Sequence, residues 1–248
     1  MFCECLFFCG SDRLIKWINS YFSRFEKILW LGSVTVTVGS YFAFEGSDVL
    51  TLIASLIGMT SLIFSAKGHF IGPLLAVVFA LFYGYISYTF RYYCEMLTYL
   101  GMTGPMALLA FISWVRSPFK GNRSEVTVRK VGRNELLLMA GLSAAVTVVS
   151  MYLLKWLGTS NLIPSTFSVT TSFIAVYLTE RRSPYFSLAY AFNDIVLIVL
   201  WLLAALEEIR YASVMICFAV FLVNDIYAFI NWKHMEKRQL DIGKKEKI

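Results

Sequence analysis

Two long apolar segments near the C-terminal end decide the fold class. Residues 185–206 read YFSLAYAFNDIVLIVLWLLAAL, and residues 212–232 read ASVMICFAVFLVNDIYAFINW. About 20 apolar residues, at about 1.5 Å of rise each, cross the hydrocarbon core of a membrane, so each segment predicts a transmembrane helix. Each segment also contains an adjacent Asn-Asp pair, at 193–194 and at 224–225. A carboxylate at that depth costs roughly 3 kcal/mol unless it faces protein or water, so the two pairs indicate a binding site.

The composition extends this prediction to the whole chain. Of the 248 residues, 58% are hydrophobic and 15% are charged, and the mean hydropathy is +0.66. Soluble domains contain about a quarter charged residues, so this balance predicts repeated membrane spans. The net charge of +6 comes from basic residues between the apolar segments, which is a topology signal and does not require nucleic acid as a partner.

Eight apolar segments predict an all-α integral membrane protein with eight transmembrane helices. The first, 28–45, follows an amphipathic segment at 1–27 that we expect on the cytoplasmic surface. A first three-helix bundle is predicted within 49–115, a linking helix at 135–157 and a second three-helix bundle within 162–232. The predicted segments are 28–45, 49–66, 70–90, 93–115, 135–157, 162–179, 185–206 and 212–232.

The basic residues lie in alternate connections between these segments. The loop 116–134 contains six Lys or Arg residues, and the tail 233–248 is also basic. With eight crossings, this loop, the tail and the pair Arg181 and Arg182 all fall on one side. The positive-inside rule then predicts a multi-pass protein of the inner cell membrane with both termini in the cytoplasm.

A faint internal repeat relates the two bundles. Residues 59–61 read MTS and the fourth segment ends in FISW at 111–114. Residues 170–172 read TTS and the eighth segment ends in FINW at 229–232. One crossing separates the two three-helix blocks, so they have the same orientation, and parallel repeats around a central site are a known transporter plan. Chance similarity among apolar stretches is the alternative.

The candidate site consists of polar and aromatic residues inside the apolar segments. On a helix, the four seventh-segment residues given below share one face within about 100° of arc. Aromatic faces stack on planar rings, and amides and carboxylates bind hydroxyls and ring amides, so the set predicts a pocket for a small polar aromatic ligand. The alternative is that the Asn and Asp residues bridge neighbouring helices. The predicted contact residues are Tyr190, Asn193, Asp194 and Trp201 in the seventh segment, Asn224 and Tyr227 in the eighth, and Thr60, Tyr83 and Glu95 in the first bundle.

Sequence motifs of the common enzyme classes are absent from the chain. It contains no phosphate-binding P-loop, no GxSxG and no HExxH. Its five cysteines form no CxxC pair, and His69 and His234 lie in loops, so neither a metal site nor a disulfide framework is predicted. We therefore expect no enzyme activity, no ATP-driven transport and no cofactor.

The sequence resembles the PnuC family of nicotinamide riboside transporters over about residues 50–235. The resemblance rests on YYCEMLTYLGMTGPMALLAFISW, LTERRSPYFSLAYAFNDIVLIVLW and FLVNDIYAFINW. Asn224 and Tyr227 match an Asn-x-x-Tyr motif of the last helix, which ends in Trp232. Glu95 of the fourth segment and Asn193 of the seventh also match.

This resemblance implies a fold like that of the SWEET sugar transporters: three helices, a linking helix and three more, with an extra N-terminal crossing in some members. It implies import of nicotinamide riboside by facilitated diffusion, with phosphorylation by a cytoplasmic nucleoside kinase trapping the vitamin. It also implies association as a homotrimer within the membrane lipid.

One departure from the family pattern leaves the vitamin open. Many members carry a Trp-x-x-Trp motif that begins seven residues before the seventh-segment Asn, where this chain has Phe186 and Ala189, with Tyr190 beside them. Relatives of the same fold resemble thiamine or riboflavin importers. Proton symport through Asp194 or Asp225 and a non-transporting membrane receptor or scaffold are the other hypotheses.

Overall fold

A computed structural model describes residues 20–44, 49–89, 96–158 and 161–245. A π-helical turn, Thr98–Thr103, leads into the fourth of the helices given below, and a small antiparallel hairpin, β1 Pro118–Phe119 and β2 Asn122–Val126, follows that helix. A 3-10 turn, Ile209–Tyr211, leads into the last helix. The helices are α1 Arg24–Ala43, α2 Val49–Ala66, α3 Ile71–Thr89, α4 Gly104–Val115, α5 Arg133–Trp156, α6 Leu162–Glu180, α7 Phe186–Glu207 and α8 Ala212–Lys245.

Seven helical stretches of the described chain are long and apolar enough to cross a membrane. They are α2, α3, Thr98–Val115, α5, α6, α7 and the stretch Ile209–Lys245. The prediction of an all-helical membrane protein is therefore confirmed. Helix α1 has 20 residues but is not among the seven, because charged and hydroxyl side chains interrupt its apolar run. The first of the eight predicted crossings stays a prediction.

Six helices form a ring in which each packs on the next, and we refer to α2–α4 and α6–α8 as its two groups. The groups meet where α8 packs on α2 and where α4 packs on α6. Helix α5 packs on the outside of α6, and α1 packs on α2 and α8. A space enclosed by the two groups therefore lies near the centre of the molecule.

The C-terminal ends of α2 and α6 have the same backbone geometry. Each is followed by a residue with positive φ, Gly68 at 68° and Arg182 at 55°. The amide of Gly68 donates to the carbonyl of Ser65 at 2.9 Å, and the amide of Arg182 donates to that of Thr179 at 3.0 Å. This left-handed residue ends both helices and turns the chain into the next one.

Two tryptophans connect each of these helix ends to a helix of the other group. The indole Nε1 of Trp114, at the end of α4, donates to the carbonyl of Thr179 at 2.8 Å. The indole Nε1 of Trp232, on α8, donates to the carbonyl of Ser65 at 2.8 Å. Because both indoles are buried, these bonds satisfy groups that have no access to water. We call this end of the bundle the closed end.

Helix α8 continues well beyond residue 232, where the apolar pattern stops. Gln239 accepts a hydrogen bond from the amide of Val128 at 2.9 Å and donates to the carbonyl of Val126 at 3.0 Å. Arg238 and Gln239 also bind the carboxylate of Glu125 on the hairpin. The tail predicted at 233–248 is thus helical as far as Lys245, because the hairpin gives its polar face a partner.

The first turn of α3 requires a glycine at position 72, because it lies against the end of α2. A Cβ atom there would lie 2.2 Å from Ser65 Oγ and 2.6 Å from the backbone nitrogen of Ser65. We expect Gly72→Ala to lower the free energy of unfolding by about 2–3 kcal/mol, because the backbone of α2 must move. Thermal unfolding in detergent measures this.

The matched control for this substitution is Gly141→Ala on α5, where an added Cβ meets nothing within 4 Å. Replacing glycine by alanine inside an open helix is neutral or stabilising by up to about 1 kcal/mol. Equal melting temperatures for Gly72→Ala and Gly141→Ala would contradict the close approach of α2 and α3.

Candidate functional site

A cavity of about 920 Å³ lies between the two helix groups. Gly58 of α2 and Phe79 of α3 line it from one group, and Tyr190 of α7 and Phe221 of α8 line it from the other. Pockets for small molecules have volumes of roughly 300–1,000 Å³. The space is therefore large enough for a nucleoside-sized ligand.

The two ends of the cavity differ in exposure. Asn161, Glu207 and Glu208 line one end and are exposed. Phe186 lines the other end and is buried, with its ring centroid 4.9 Å from Trp232 and 6.2 Å from Trp114. In this conformation of the protein, a solute enters the cavity at the end with the acidic residues. At the closed end it meets the aromatic side chains that form the floor of the cavity.

Asn193 lies in the cavity wall and is held by hydroxyl groups of α6. Its Oδ1 accepts hydrogen bonds from Thr171 Oγ1 at 2.8 Å and Ser172 Oγ at 3.1 Å, with Ser168 Oγ at 3.5 Å. These hydroxyls come from positions i, i+3 and i+4 of one helix, so they share a face. Because the carbonyl oxygen is occupied, the Nδ2 group is the part of Asn193 that is left to donate to a ligand.

Asp194 and Asp225 form a buried carboxyl pair in the same wall. Asp194 is 3% exposed and Asp225 is 2% exposed, and both line the cavity. Their side chains lie within hydrogen-bond reach of each other. Outside the pair, no residue in the described part of the chain bonds Asp194 Oδ2 or Asp225 Oδ1. The second residue of each Asn-Asp pair thus faces the cavity.

Aromatic side chains complete the walls. Of the predicted residues, Tyr190, Trp201 and Tyr83 line the cavity. Tyr83 packs against Tyr99, with ring centroids 4.6 Å apart, and Trp201 packs against Tyr211 at 5.6 Å. Tyr99 and Tyr211 were not predicted from the sequence, since both lie at helix ends where a tyrosine is typical of the membrane interface.

Three predicted residues lie on the other side of their helices, against α1. Asn224 Nδ2 donates to Ser33 Oγ at 2.9 Å, and Tyr227 OH donates to Glu26 Oε1 at 2.8 Å. Thr60 Oγ1 accepts from the indole nitrogen of Trp30 at 3.3 Å. The structure therefore does not bring Asn224, Tyr227 and Thr60 together with the cavity residues. Glu95 lies outside the described residues.

The α1 contact ends in an ion pair on the side of the closed end. The Nζ atom of Lys67, in the turn after α2, lies 3.1 Å from Glu26 Oε2. The neighbouring His69 stacks on Phe70 and accepts from the amide of Ile71 at 3.2 Å through Nδ1. Burial lowers the pKa of His69, so this side chain is neutral at neutral pH.

Apolar helices around a central cavity that contains a few polar groups are typical of a membrane transport protein. The family model described as nicotinamide mononucleotide transporter matches residues 48–234. The chain therefore belongs to the nicotinamide mononucleotide transporter family, whose members are transporters and not enzymes.

Two relatives agree with this assignment. The chain is 25% identical over 223 residues to a protein of Neisseria mucosa called nicotinamide riboside transporter PnuC, and the match covers 88% of this chain and 83% of the relative. The crystal structure of the vitamin B3 transporter PnuC superposes with a TM-score of 0.75 at 24% identity, covering 88% of this chain and 94% of that one. This second match shows a common fold.

Proposed function

We propose that this protein imports nicotinamide riboside across the cell membrane. The observation that carries the proposal is the cavity, in which a fixed amide, a carboxyl pair and aromatic walls meet at a volume of about 920 Å³. Nicotinamide riboside offers the matching groups, an aromatic ring, an amide and ribose hydroxyls. The relative from Neisseria mucosa is named for the same substrate, and the solved relative is named as a transporter of vitamin B3.

The proposed substrate contacts are the predicted residues that line the cavity. Asn193 donates to a ligand oxygen through Nδ2, and Asp194 accepts from a ligand donor. Tyr190, Trp201 and Tyr83 supply flat surfaces for the ring. The predicted residues that face α1, which are Asn224, Tyr227 and Thr60, then have a structural role and do not contact the substrate.

We propose a parallel repeat as the basis of transport, with α2–α4 and α6–α8 as SWEET-like repeats joined by α5. Matching hydrogen bonds at the closed end support this repeat. Each tryptophan, and also the residue before it, donates to a backbone carbonyl at the end of a helix in the opposite group. The four bonds are Trp114 to Thr179 and Trp232 to Ser65, both at 2.8 Å, Ser113 to Glu180 at 3.0 Å and Asn231 to Ala66 at 2.7 Å.

Transport then consists of opening one end of the cavity while the other closes. The closed end lies beside the basic hairpin loop and the α8 tail, so the positive-inside rule puts it in the cytoplasm. Facilitated diffusion needs only this exchange between two conformations, and phosphorylation in the cytoplasm adds negative charge that retains the product inside.

The test is uptake of labelled nicotinamide riboside into proteoliposomes that contain neither ATP nor an ion gradient. Equilibration with the internal volume, blocked by unlabelled riboside and not by thiamine or riboflavin, is the expected result. Flux of thiamine or riboflavin without flux of the riboside would overturn the substrate. Binding without any flux would identify a receptor instead of a transporter.

Tyr227 separates the structural role from substrate contact. We expect Tyr227→Phe to reduce the free energy of unfolding by about 1.5 kcal/mol, because it removes a hydrogen bond to the buried carboxylate of Glu26. The KM for uptake should change less than about twofold. Thermal unfolding and initial uptake rates measure the two effects.

The control is Tyr152→Phe on α5, where the tyrosine is 65% exposed and its loss should leave both quantities unchanged. A KM that rises tenfold in Tyr227→Phe at an unchanged melting temperature would instead assign Tyr227 to the substrate.

A further inference from the structure

The buried carboxyl pair has more hydrogen-bonding capacity than the protein uses. Asp194 and Asp225 are at most 3% exposed, yet among the described residues none outside the pair bonds Asp194 Oδ2 or Asp225 Oδ1. Buried carboxyl oxygens without partners are costly, because the protein replaces none of the hydration they lose. Both residues line the cavity, so a ligand in the cavity can supply the missing partner.

The charges around the cavity all have one sign. Asp194, Asp225, Glu207 and Glu208 line it, and none of the described lining residues is Lys, Arg or His. Among these four in the described chain, Glu208 has a cationic neighbour, Arg210, at 2.8 Å and at the exposed end. At the depth of the carboxyl pair the described residues therefore provide no positive charge.

Two carboxyl groups at hydrogen-bond distance cannot both be ionised cheaply in a space removed from water. When a cation occupies the cavity, one proton shared between them leaves a single negative charge on the pair. A negative charge at this depth is stabilised by a cation in the cavity. The pair thus matches a solute with one positive charge.

The neighbouring aromatic side chain favours a flat cation. Tyr190 precedes Asp194 by four residues on α7, so the ring and the carboxyl group lie on one face of the helix. Aromatic faces attract cations, most strongly where water is excluded. A planar ring that carries the positive charge itself can contact the tyrosine and the carboxyl pair together.

We propose that Asp194 and Asp225 form a counter-charge site for a monocationic planar ring, which selects N-glycosylated pyridinium compounds over neutral analogues. This inference rests on the proposed function and adds the feature by which the substrate is chosen. The charge on nicotinamide riboside lies on its pyridinium nitrogen. Its reduced dihydro form has the same ribose and amide but no charge.

The test compares binding of nicotinamide riboside and its dihydro form to the purified protein by titration calorimetry. We expect the cation to bind at least tenfold more tightly to the native protein. In the double variant Asp194→Asn, Asp225→Asn, the affinity for the cation should fall at least tenfold and that for the dihydro form less than about threefold. Asp241→Asn, an exposed carboxyl on the tail of α8, is the matched control and should change neither affinity.

The native protein alone already tests the proposal if the double variant fails to fold. Equal affinities for the two ribosides would overturn the counter-charge site while leaving transport of the vitamin intact. A folded double variant that keeps the native preference for the cation would overturn it as well. Binding of neither riboside would overturn the proposed function itself.

Discussion

Replacing Asn193 by alanine is expected to lower the kcat/KM for nicotinamide riboside uptake about a hundredfold while leaving membrane insertion intact. The hydroxyls of Thr171 and Ser172 hold the Asn193 Oδ1 at 2.8 and 3.1 Å, which fixes the direction of its Nδ2 donor. A site that loses one fixed polar contact leaves the ligand's group without a partner in a desolvated space, and such losses are large. Initial uptake rates in proteoliposomes measure the effect.

The other Asn-Asp pair provides the control for this substitution. Asn224→Ala removes the same atoms, but its amide bonds Ser33 on α1, so we expect a lower melting temperature and uptake within about threefold of native. Asn193→Asp keeps the oxygen acceptor and removes the donor, so it should lower uptake as much as Asn193→Ala does. Native uptake by Asn193→Ala, or loss of uptake by Asn224→Ala at an unchanged melting temperature, would contradict the assignment of the two residues.

Hydropathy alone predicted the helical fold, because the lipid solvent requires long apolar segments wherever the chain crosses it. The predicted segments 49–66 and 162–179 end within one residue of α2 and α6. The α8 tail and the hairpin were not predicted, since both are polar and stabilise each other through contacts such as Gln239 to Val126. Such contacts between distant residues leave no periodic signal in the sequence.

Only some of the predicted residues line the cavity, and the reason is geometric. Adjacent helical residues point about 100° apart, so the two residues of an Asn-Asp pair cannot both face one cavity from the same direction. On α7 both Asn193 and Asp194 reach it, because the hydroxyls of α6 turn the amide toward it. On α8 Asp225 reaches it, whereas Asn224 binds α1, a partner that the sequence pattern does not reveal.

The departure from the family's Trp-x-x-Trp pattern has a structural counterpart at the closed end. Phe186 is 1% exposed and packs edge-on against Trp232 at 4.9 Å. It is therefore part of the floor of the cavity, and it also contacts Tyr190 at 6.3 Å between ring centroids. A different residue type at position 186 therefore changes how the cavity closes as well as the shape of its walls.

Removing both indole donors is expected to loosen this closed end. In Trp114→Phe, Trp232→Phe the rings still pack, but the carbonyls of Thr179 and Ser65 lose their bonds at 2.8 Å. Each lost bond is worth about 1 kcal/mol, so local opening should become about thirtyfold more frequent. Amide hydrogen exchange at residues 67–69 and 181–183 measures this, because exchange follows the free energy of local opening.

A matched Trp→Phe substitution outside the closed end separates the indole bonds from a general loss of stability. Trp156→Phe on α5 changes a residue that is 81% exposed, so exchange at both turns should stay native. Acceleration in only one turn by each single variant would show that each tryptophan holds the opposite helix group, as the crossed bonds require. Native exchange in the double variant would instead mean that the packing of Phe186 between the two rings closes the cavity, and that the indole bonds form only because it is already closed.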